Sequence, residues 1–476
     1  MTPRVLLLLL LLLSIASAAP AQTPGQLAIR NVTVIPMGSE RTIPNATVVI
    51  RDGRIALIGP TASTAIPRGA RAIDGTGKFL IPGLADMHTH LLSDGDEVAD
   101  SAAPAELGVM LANGVTAARL MIGTPIHLSL RRDVERGVVT GPRLWVASPQ
   151  ITGRPSENAI VATNAEQARE AVRTAVAAGY DFIKLTMFIT SAVYDAVVDE
   201  ARARGIRVVG HIDTEVGVAR ALAAGQQVEH LDAYLEESLS DAAPSRVSVT
   251  QMGVFRAQNW ASLDFVDDRK LDSLAGATAR AGVYVGPTQN VFNTAFGIGE
   301  TVQAIQGRPD WEFLPPKMRQ GYLGAHERYW DPARAGARTP ERRARYVQAR
   351  NRLVKAIQDS GGRIIAGSDT PEWFHMYGWG IHRELQALVT AGLTPHQALA
   401  AATTNPAAFL GAHSEWGTVA AGRRADLLLL RANPLADIRN TASIDAVFAG
   451  GRYLNRAALD SVLAAGLQRI TSATQP

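Results

Sequence analysis

The spacing of apolar positions changes period twice along the chain. Near the start, Leu27 to Ile35 and Ala46 to Ile58 alternate apolar with polar residues, and Asp52-Gly53 interrupts the second run where a hairpin would turn. The same grammar returns near the other end, in Ala425 to Leu430 and Ile444 to Tyr453. Each terminal piece is about 60 residues long, too few to bury a core of its own. The two ends are therefore expected to combine, as residues 22–81 and 417–476, into one small β-sandwich domain.

Between them, over residues 82–416, short β-type runs alternate with helical stretches, as βα units require. The runs end near His88, Arg119, Ala147, Lys184, His211, His230, Pro287 and Asp369. Eight such units predict an α/β chain built on a (β/α)8 TIM-like barrel, with its site at the C-terminal ends of the strands. One helix announces its limits. Thr163-Asn164 opens it, Glu166 and Gln167 stand at capping distance, and Gly179 closes it. Segments 231–280 and 290–360 exceed a minimal crossover and read as insertions. The Arg-rich stretch around residues 338–346 is expected to form an exposed helix.

The first residues follow another logic. Arg4 precedes the apolar run Val5 to Leu13, and small residues follow to Ala21. That order predicts a signal peptide over residues 1–21, cut after Ala18 or Ala21, and hence an exported, periplasmic or secreted protein. The run is too short to span a bilayer, so no membrane attachment is expected after cleavage.

Composition narrows the chemistry. Of 476 residues, 47 % are apolar, which rules out a chain disordered throughout, and a net charge of +3 gives no reason to expect a nucleic-acid partner. There is no cysteine, so thiol catalysis, iron–sulfur clusters and disulfides are excluded. Only five of the 47 basic residues are lysine. One of these, Lys184, falls in the apolar strand Tyr180 to Leu185, where a bare ammonium is costly.

Four histidines and an aspartate mark predicted strand ends. His88 and His90 are two apart in one strand and so share a face. His211 ends Arg207 to His211, His230 ends Gln227 to His230, and Asp369 ends Arg363 to Asp369. Any one of these would pass as a structural residue or a helix cap. Their joint arrival at one barrel mouth, with Lys184, reads as a metal site without sulfur.

With these residues in place, the chain resembles the amidohydrolase superfamily in its imidazolonepropionase-like and prolidase-like branch. The resemblance rests on His88-Thr-His90, Gly114 to Arg119, Gly179 to Lys184, Gly392 to Leu399, Ala402 to Pro406, Gly422 to Asp426 and Asn433 to Asp437. It implies a binuclear site for two divalent ions, zinc being the expected metal. His88, His90 and Asp369 would hold one ion and His211 and His230 the other, bridged by a carbamate formed from CO2 on Lys184. It further implies that a metal-bridging hydroxide hydrolyses a carbon–nitrogen bond, with Asp369 as the catalytic proton carrier.

The expected partner is a small-molecule substrate, an N-acyl amino acid or dipeptide with a free carboxylate; association into a homo-oligomer is a further expectation. Relatives in this branch often carry Gly-Gly-His after the third strand. Here Ile151 to Pro155 offers Arg154 instead, a candidate grip on a substrate carboxylate. Tyr234, just past His230, is a candidate donor to the substrate carbonyl. Trp311, Phe313, Tyr322, Tyr329 and Trp330 either line an apolar pocket or pack the insertion onto the barrel, and His382 reads as structural. Competing readings are a cyclic-amide hydrolase of lactam or imidazolone type, an ester or organophosphate hydrolase, and an inactive binding barrel.

Overall fold

The computed structural model describes residues 26–92, 101–156, 158–244 and 257–473. The signal-type segment lies outside them. Among the described residues, no helix is long and apolar enough to cross a membrane.

Eight parallel strands form the central ring: Leu84–Thr89, Val115–Leu120, Arg143–Val146, Phe182–Leu185, Arg207–Gly210, Gln227–Glu229, Tyr284–Gly286 and Arg363–Ile364. They pair in chain order. Two parallel bridges, Ala147 with Phe182 and Thr89 with Thr370, complete the circuit. Seven strands end within one residue of where the apolar runs placed them; the eighth stops at Ile364, and residues 365–369 carry the chain on to Asp369 without strand pairing. Inside the ring, Met87, Ala117, Phe182, Val209 and Ile365 pack on Phe409 and Trp416, which plug the floor opposite the strand ends.

The helix at Ala165–Ala178 shows why its limits were legible. Asn164 Oδ1 accepts from Gln167 N (3.0 Å), Gln167 Oε1 accepts from Thr163 N (2.8 Å), and Gly179 closes the helix at φ 87°.

Strands from both parts of the chain lie in one eight-stranded sheet. Strand Phe79–Pro82 pairs with Leu27–Val34 on one side and antiparallel with Leu427–Leu430 on the other. Leu27, Ile29, Val48, Leu427, Leu429 and Phe448 bury a common core. The last helix, Arg456–Ala473, belongs elsewhere: it packs on the barrel helix Ala103–Ala112, where a methyl on Gly466 would meet Val109 Cγ2 at 2.5 Å.

The Arg-rich insertion departs from expectation. Its helix, Pro340–Asp359, is not an exposed one, because Tyr346, Ala349, Arg350, Leu353, Val354 and Ile357 are buried. The charged residues occupy one face and the apolar ones the other. Arg350 reaches inward, donating to the carbonyls of His230 (2.9 Å) and Pro287 (2.7 Å), so the insertion clamps the ends of two barrel strands.

Candidate active site

His88, His90, Lys184, His211, His230 and Asp369 all line one cavity of about 450 Å³ at the strand ends. The imidazoles form a chain: ring centres lie 5.2 Å apart for His88 and His90, 4.6 Å for His88 and His230, and 4.4 Å for His230 and His211. Asp369 stands among them. Its Oδ1 is 3.2 Å from His90 Nε2 and 3.3 Å from His88 Nε2, and its Oδ2 is 3.7 Å from His230 Nδ1.

Close backbone packing makes room for this cluster. A methyl on Gly367 would sit 2.5 Å from His88 Cβ, and one on Gly210 would meet Leu185 O at 2.2 Å and Lys184 Cδ at 3.0 Å. The strands bearing His88, Lys184, His211 and Asp369 can approach one another only with glycine at those two positions.

Three histidines are anchored through the same ring nitrogen. His88 Nδ1 bonds Glu229 Oε2 (2.8 Å), His211 Nδ1 bonds Asp232 Oδ2 (2.7 Å), and His230 Nδ1 bonds Thr288 Oγ1 (2.7 Å). In each the network assigns the proton or the bond to Nδ1 and leaves Nε2 as the open nitrogen. Burial, with the Lys184 charge adding to it, holds His88 well below the usual imidazole range. Burial and then neighbouring His211 do the same for His230. Both rings are therefore neutral ligands-in-waiting.

These residues fit a divalent cation on physical grounds. Once Nδ1 of His88 donates to Glu229, its Nε2 carries a lone pair facing Asp369 Oδ1 at 3.3 Å. Two acceptors at that distance repel unless a positive centre lies between them. His90 Nδ1 is also buried without a hydrogen-bond partner among the described residues. The ligand atoms of His88, His90 and Asp369 all lie within 4.8 Å of one another, and the donor set is nitrogen and oxygen only.

Lys184 is 2 % exposed, and burial pushes its ammonium down to about 8. Among the described residues no carboxylate lies within ion-pair distance of its Nζ. Only its backbone N–H is anchored, donating to Ser148 Oγ (3.0 Å).

The partners behind the ligands were missed by sequence reasoning. Glu229, fully buried, is held by Arg119, which also donates to Gln227 Oε1 (2.8 Å) and Met87 O (2.6 Å). Burial raises the Glu229 carboxyl to about 7, while the Arg119 guanidinium pulls the other way. Arg119 appeared in the sequence as a strand end and the last residue of one family motif, with no role assigned, and the best available signal was an arginine at the end of a mostly apolar run. Such outer partners fix ligand orientation. Replacing Glu229 with Gln is therefore expected to weaken metal retention about tenfold to a hundredfold, measured by chelator competition against wild type.

Of the two substrate candidates, Arg154 stands on the cavity wall, its guanidinium 4.1 Å from the centre of the Phe188 ring, with no ion pair among the described residues. Tyr234 is a correction. Ala233 takes φ 65° and turns the chain away from the mouth, so Tyr234 is buried behind it and its hydroxyl is bonded to Thr278 Oγ1 (2.7 Å). It does not face the cavity. The aromatic insertion divides: Trp311, Phe313, Tyr322 and Tyr329 pack on the core with Trp330 edge-on to Tyr329, and Phe292 and Phe296 stand on the cavity wall beside Phe188 and Trp373 from other loops. His382 is structural as read, bonded to Thr441 Oγ1 (2.9 Å) and Asn113 O (3.0 Å).

A barrel whose strand ends gather four imidazoles, a carboxylate and a buried lysine defines a metal-ligating class of site. The model of the amidohydrolase family matches residues 79–454, and the chain belongs to that family. Among solved structures, it is similar to a bottromycin amidohydrolase (26 % identity, TM-score 0.73, covering 94 % of this chain and 91 % of that one). It is also similar to a provisionally assigned prolidase from Bifidobacterium longum (25 % identity, TM-score 0.66, 93 % and 99 %). A curated imidazolonepropionase from Saccharopolyspora erythraea is 38 % identical over 104 residues, 21 % of this chain and 26 % of that protein. The chain spans only between 13 % and 26 % of the length of the curated relatives it matches first.

Proposed function

We propose that the protein is an exported, binuclear metal-dependent amidohydrolase that cleaves the C–N bond of an N-acyl amino acid or dipeptide. The observation that carries this reading is the convergence of His88, His90, His211, His230, Asp369 and Lys184 on one cavity. His88, His90 and Asp369 would hold one ion, and His211 and His230 the second. Neutral Lys184 would take up CO2, its nitrogen bonding the carbon and releasing one proton, and the resulting anionic carbamate would add oxygen ligands for the ions. Divalent ions bound there, zinc by the donor set, supply Lewis acidity that acidifies water and polarises the scissile carbonyl.

The chain's own groups do the rest. The Asp369 carboxylate accepts the proton of the attacking water and delivers it to the leaving nitrogen. Arg154, kept flat on Phe188, takes the substrate carboxylate in a bidentate grip. Phe292, Phe296 and Trp373 exclude water around the acyl side.

The test is a hydrolysis panel of dipeptides, N-acyl amino acids, the C-terminal amides of both, lactams and aryl esters, with and without chelator. Turnover of the free-carboxylate amides is expected, at least about tenfold above their C-terminal amides and abolished by metal removal. Chelator-resistant hydrolysis, or activity confined to lactams or esters, overturns the reading.

A further inference from the structure

A buried carboxylate stands behind the site and takes no part in the proposed reaction. Glu384, on the helix Trp379–Thr390, is fully buried and accepts from two successive backbone N–H groups, those of Gln289 (2.9 Å) and Asn290 (2.7 Å). Burial pushes its carboxyl up to about 7, and the two N–H donors pull the other way. A carboxylate kept there against its desolvation directs attention to the segment it holds. That segment follows the seventh strand. Thr288, directly before the two donors, takes φ 43° and ψ 47°, a left-handed backbone that is an outlier for a β-branched residue and persists only where the surroundings impose it. Glu384 imposes it from the C-terminal side. Arg350 assists, donating to Pro287 O (2.7 Å) and to Gln289 Oε1 (3.2 Å).

In that conformation the Thr288 hydroxyl donates to Pro287 O (2.8 Å) and lies 2.7 Å from His230 Nδ1. Its one hydrogen is committed to the carbonyl, so toward the imidazole it acts as an acceptor. The proton of neutral His230 is thereby placed on Nδ1 and the lone pair on Nε2. We infer that Glu384 is a positioning residue: through Gln289 and Asn290 it keeps Thr288 left-handed, and Thr288 in turn fixes the tautomer and orientation of His230. The inference rests on the metal-dependent reading only where it concerns the ion that His230 would hold with His211. Its first consequence belongs to the protein without metal. Released from Glu384, Thr288 relaxes toward an ordinary backbone, its hydroxyl leaves His230, and the ring populates both neutral tautomers. Gln at position 384 is a discriminating change, because it keeps one oxygen for one N–H and turns an NH2 donor toward the other.

The test uses the full-length protein and Glu384→Gln, at a pH above the Glu384 value. Nitrogen NMR of the metal-free protein with isotopically labelled histidine reports the tautomer, the His230 signal being assigned by its loss in His230→Asn. Wild type is expected to show the Nδ1–H form, and Glu384→Gln a mixture of the two. In the metal-loaded protein, chelator competition is expected to show one ion held about tenfold to a hundredfold less tightly in the variant and the other unchanged. Adding Thr288→Val to Glu384→Gln is expected to weaken that ion no further, since both changes break the same link. Thermal unfolding confirms that each variant is folded. Glu384→Asp, which keeps the charge and draws it back by one carbon, replaces Glu384→Gln if the latter does not fold, with the same expectations. An unchanged tautomer in a folded variant, two ions held as tightly as in wild type, or losses that add in the double variant overturns the role of Glu384. Wild type that binds no divalent ion overturns the metal-dependent reading and leaves the tautomer to decide on Glu384.

Discussion

Replacing Asp369 with Asn is expected to lower kcat by about a thousandfold or more while the protein stays folded, because loss of a positioned acid–base group costs factors of this order. Asn is nearly the same size and keeps one oxygen near His88 and His90, so the contacts at 3.2 and 3.3 Å can persist in outline. It cannot accept the proton of the attacking water, nor return one to the leaving nitrogen. The measurement is steady-state kinetics beside a thermal unfolding curve and a metal analysis. An Asn variant that keeps a few per cent of wild-type kcat, folded and loaded, would remove the aspartate from its role.

Lys184→Ala is expected to bind fewer than two ions per chain and to lose activity by about a hundredfold or more, as removal of a metal-bridging anion would dictate. An ammonium that is 2 % exposed and pushed down to about 8, with no carboxylate in ion-pair range among the described residues, is a poor reason to keep a lysine. A lysine turned into an anion is a good one, since it then faces four imidazoles and their ions. Metal analysis by mass spectrometry gives the stoichiometry. Isotopically labelled CO2 gives a carbamate NMR signal in wild type that the Ala variant lacks. Two ions retained in Lys184→Ala, or no labelled carbamate in the wild type, would leave the lysine a structural residue.

Much of the fold was readable because a barrel strand buried on both faces writes itself as an apolar run, and a charged or imidazole residue at its end has nowhere to go but the mouth. His88, Lys184, His211, His230 and Asp369 were visible for that reason. The residues behind them were not. In a regular strand Glu229 and His230 should point to opposite faces, so a contact from Glu229 to His88 beside a site-facing His230 is not what the pattern predicts. The structure resolves this through backbone: His230 and Leu231 take φ 61° and 62°, and the alternation ends there. Asp369 also takes a left-handed backbone, φ 52°, five residues past the end of its strand at Ile364, which no side chain announces. Tyr234 was misplaced by the same kind of event at Ala233. The aromatic wall was illegible for another reason. Composition marks an insertion as ring-rich and leaves open whether its rings line the cavity or pack onto the barrel; Trp311, Phe313, Tyr322 and Tyr329 pack, and the wall is made by Phe292, Phe296 and, from the loop after the eighth strand, Trp373.

The pairing of Phe79–Pro82 with Leu427–Leu430 has a consequence for the order of synthesis. The strand that leads directly into the His88-bearing strand lacks its antiparallel neighbour until residues 427–430 have been made. Until then it presents an open, apolar edge, even though Asp369, the last member of the histidine cluster, is already in the chain. A growing chain can therefore gather the cluster before it can close the sheet. Chains released after Asp369 and before Leu427 are expected to carry every site residue and yet to be sticky, because the edge of Phe79–Pro82 is unpaired in them.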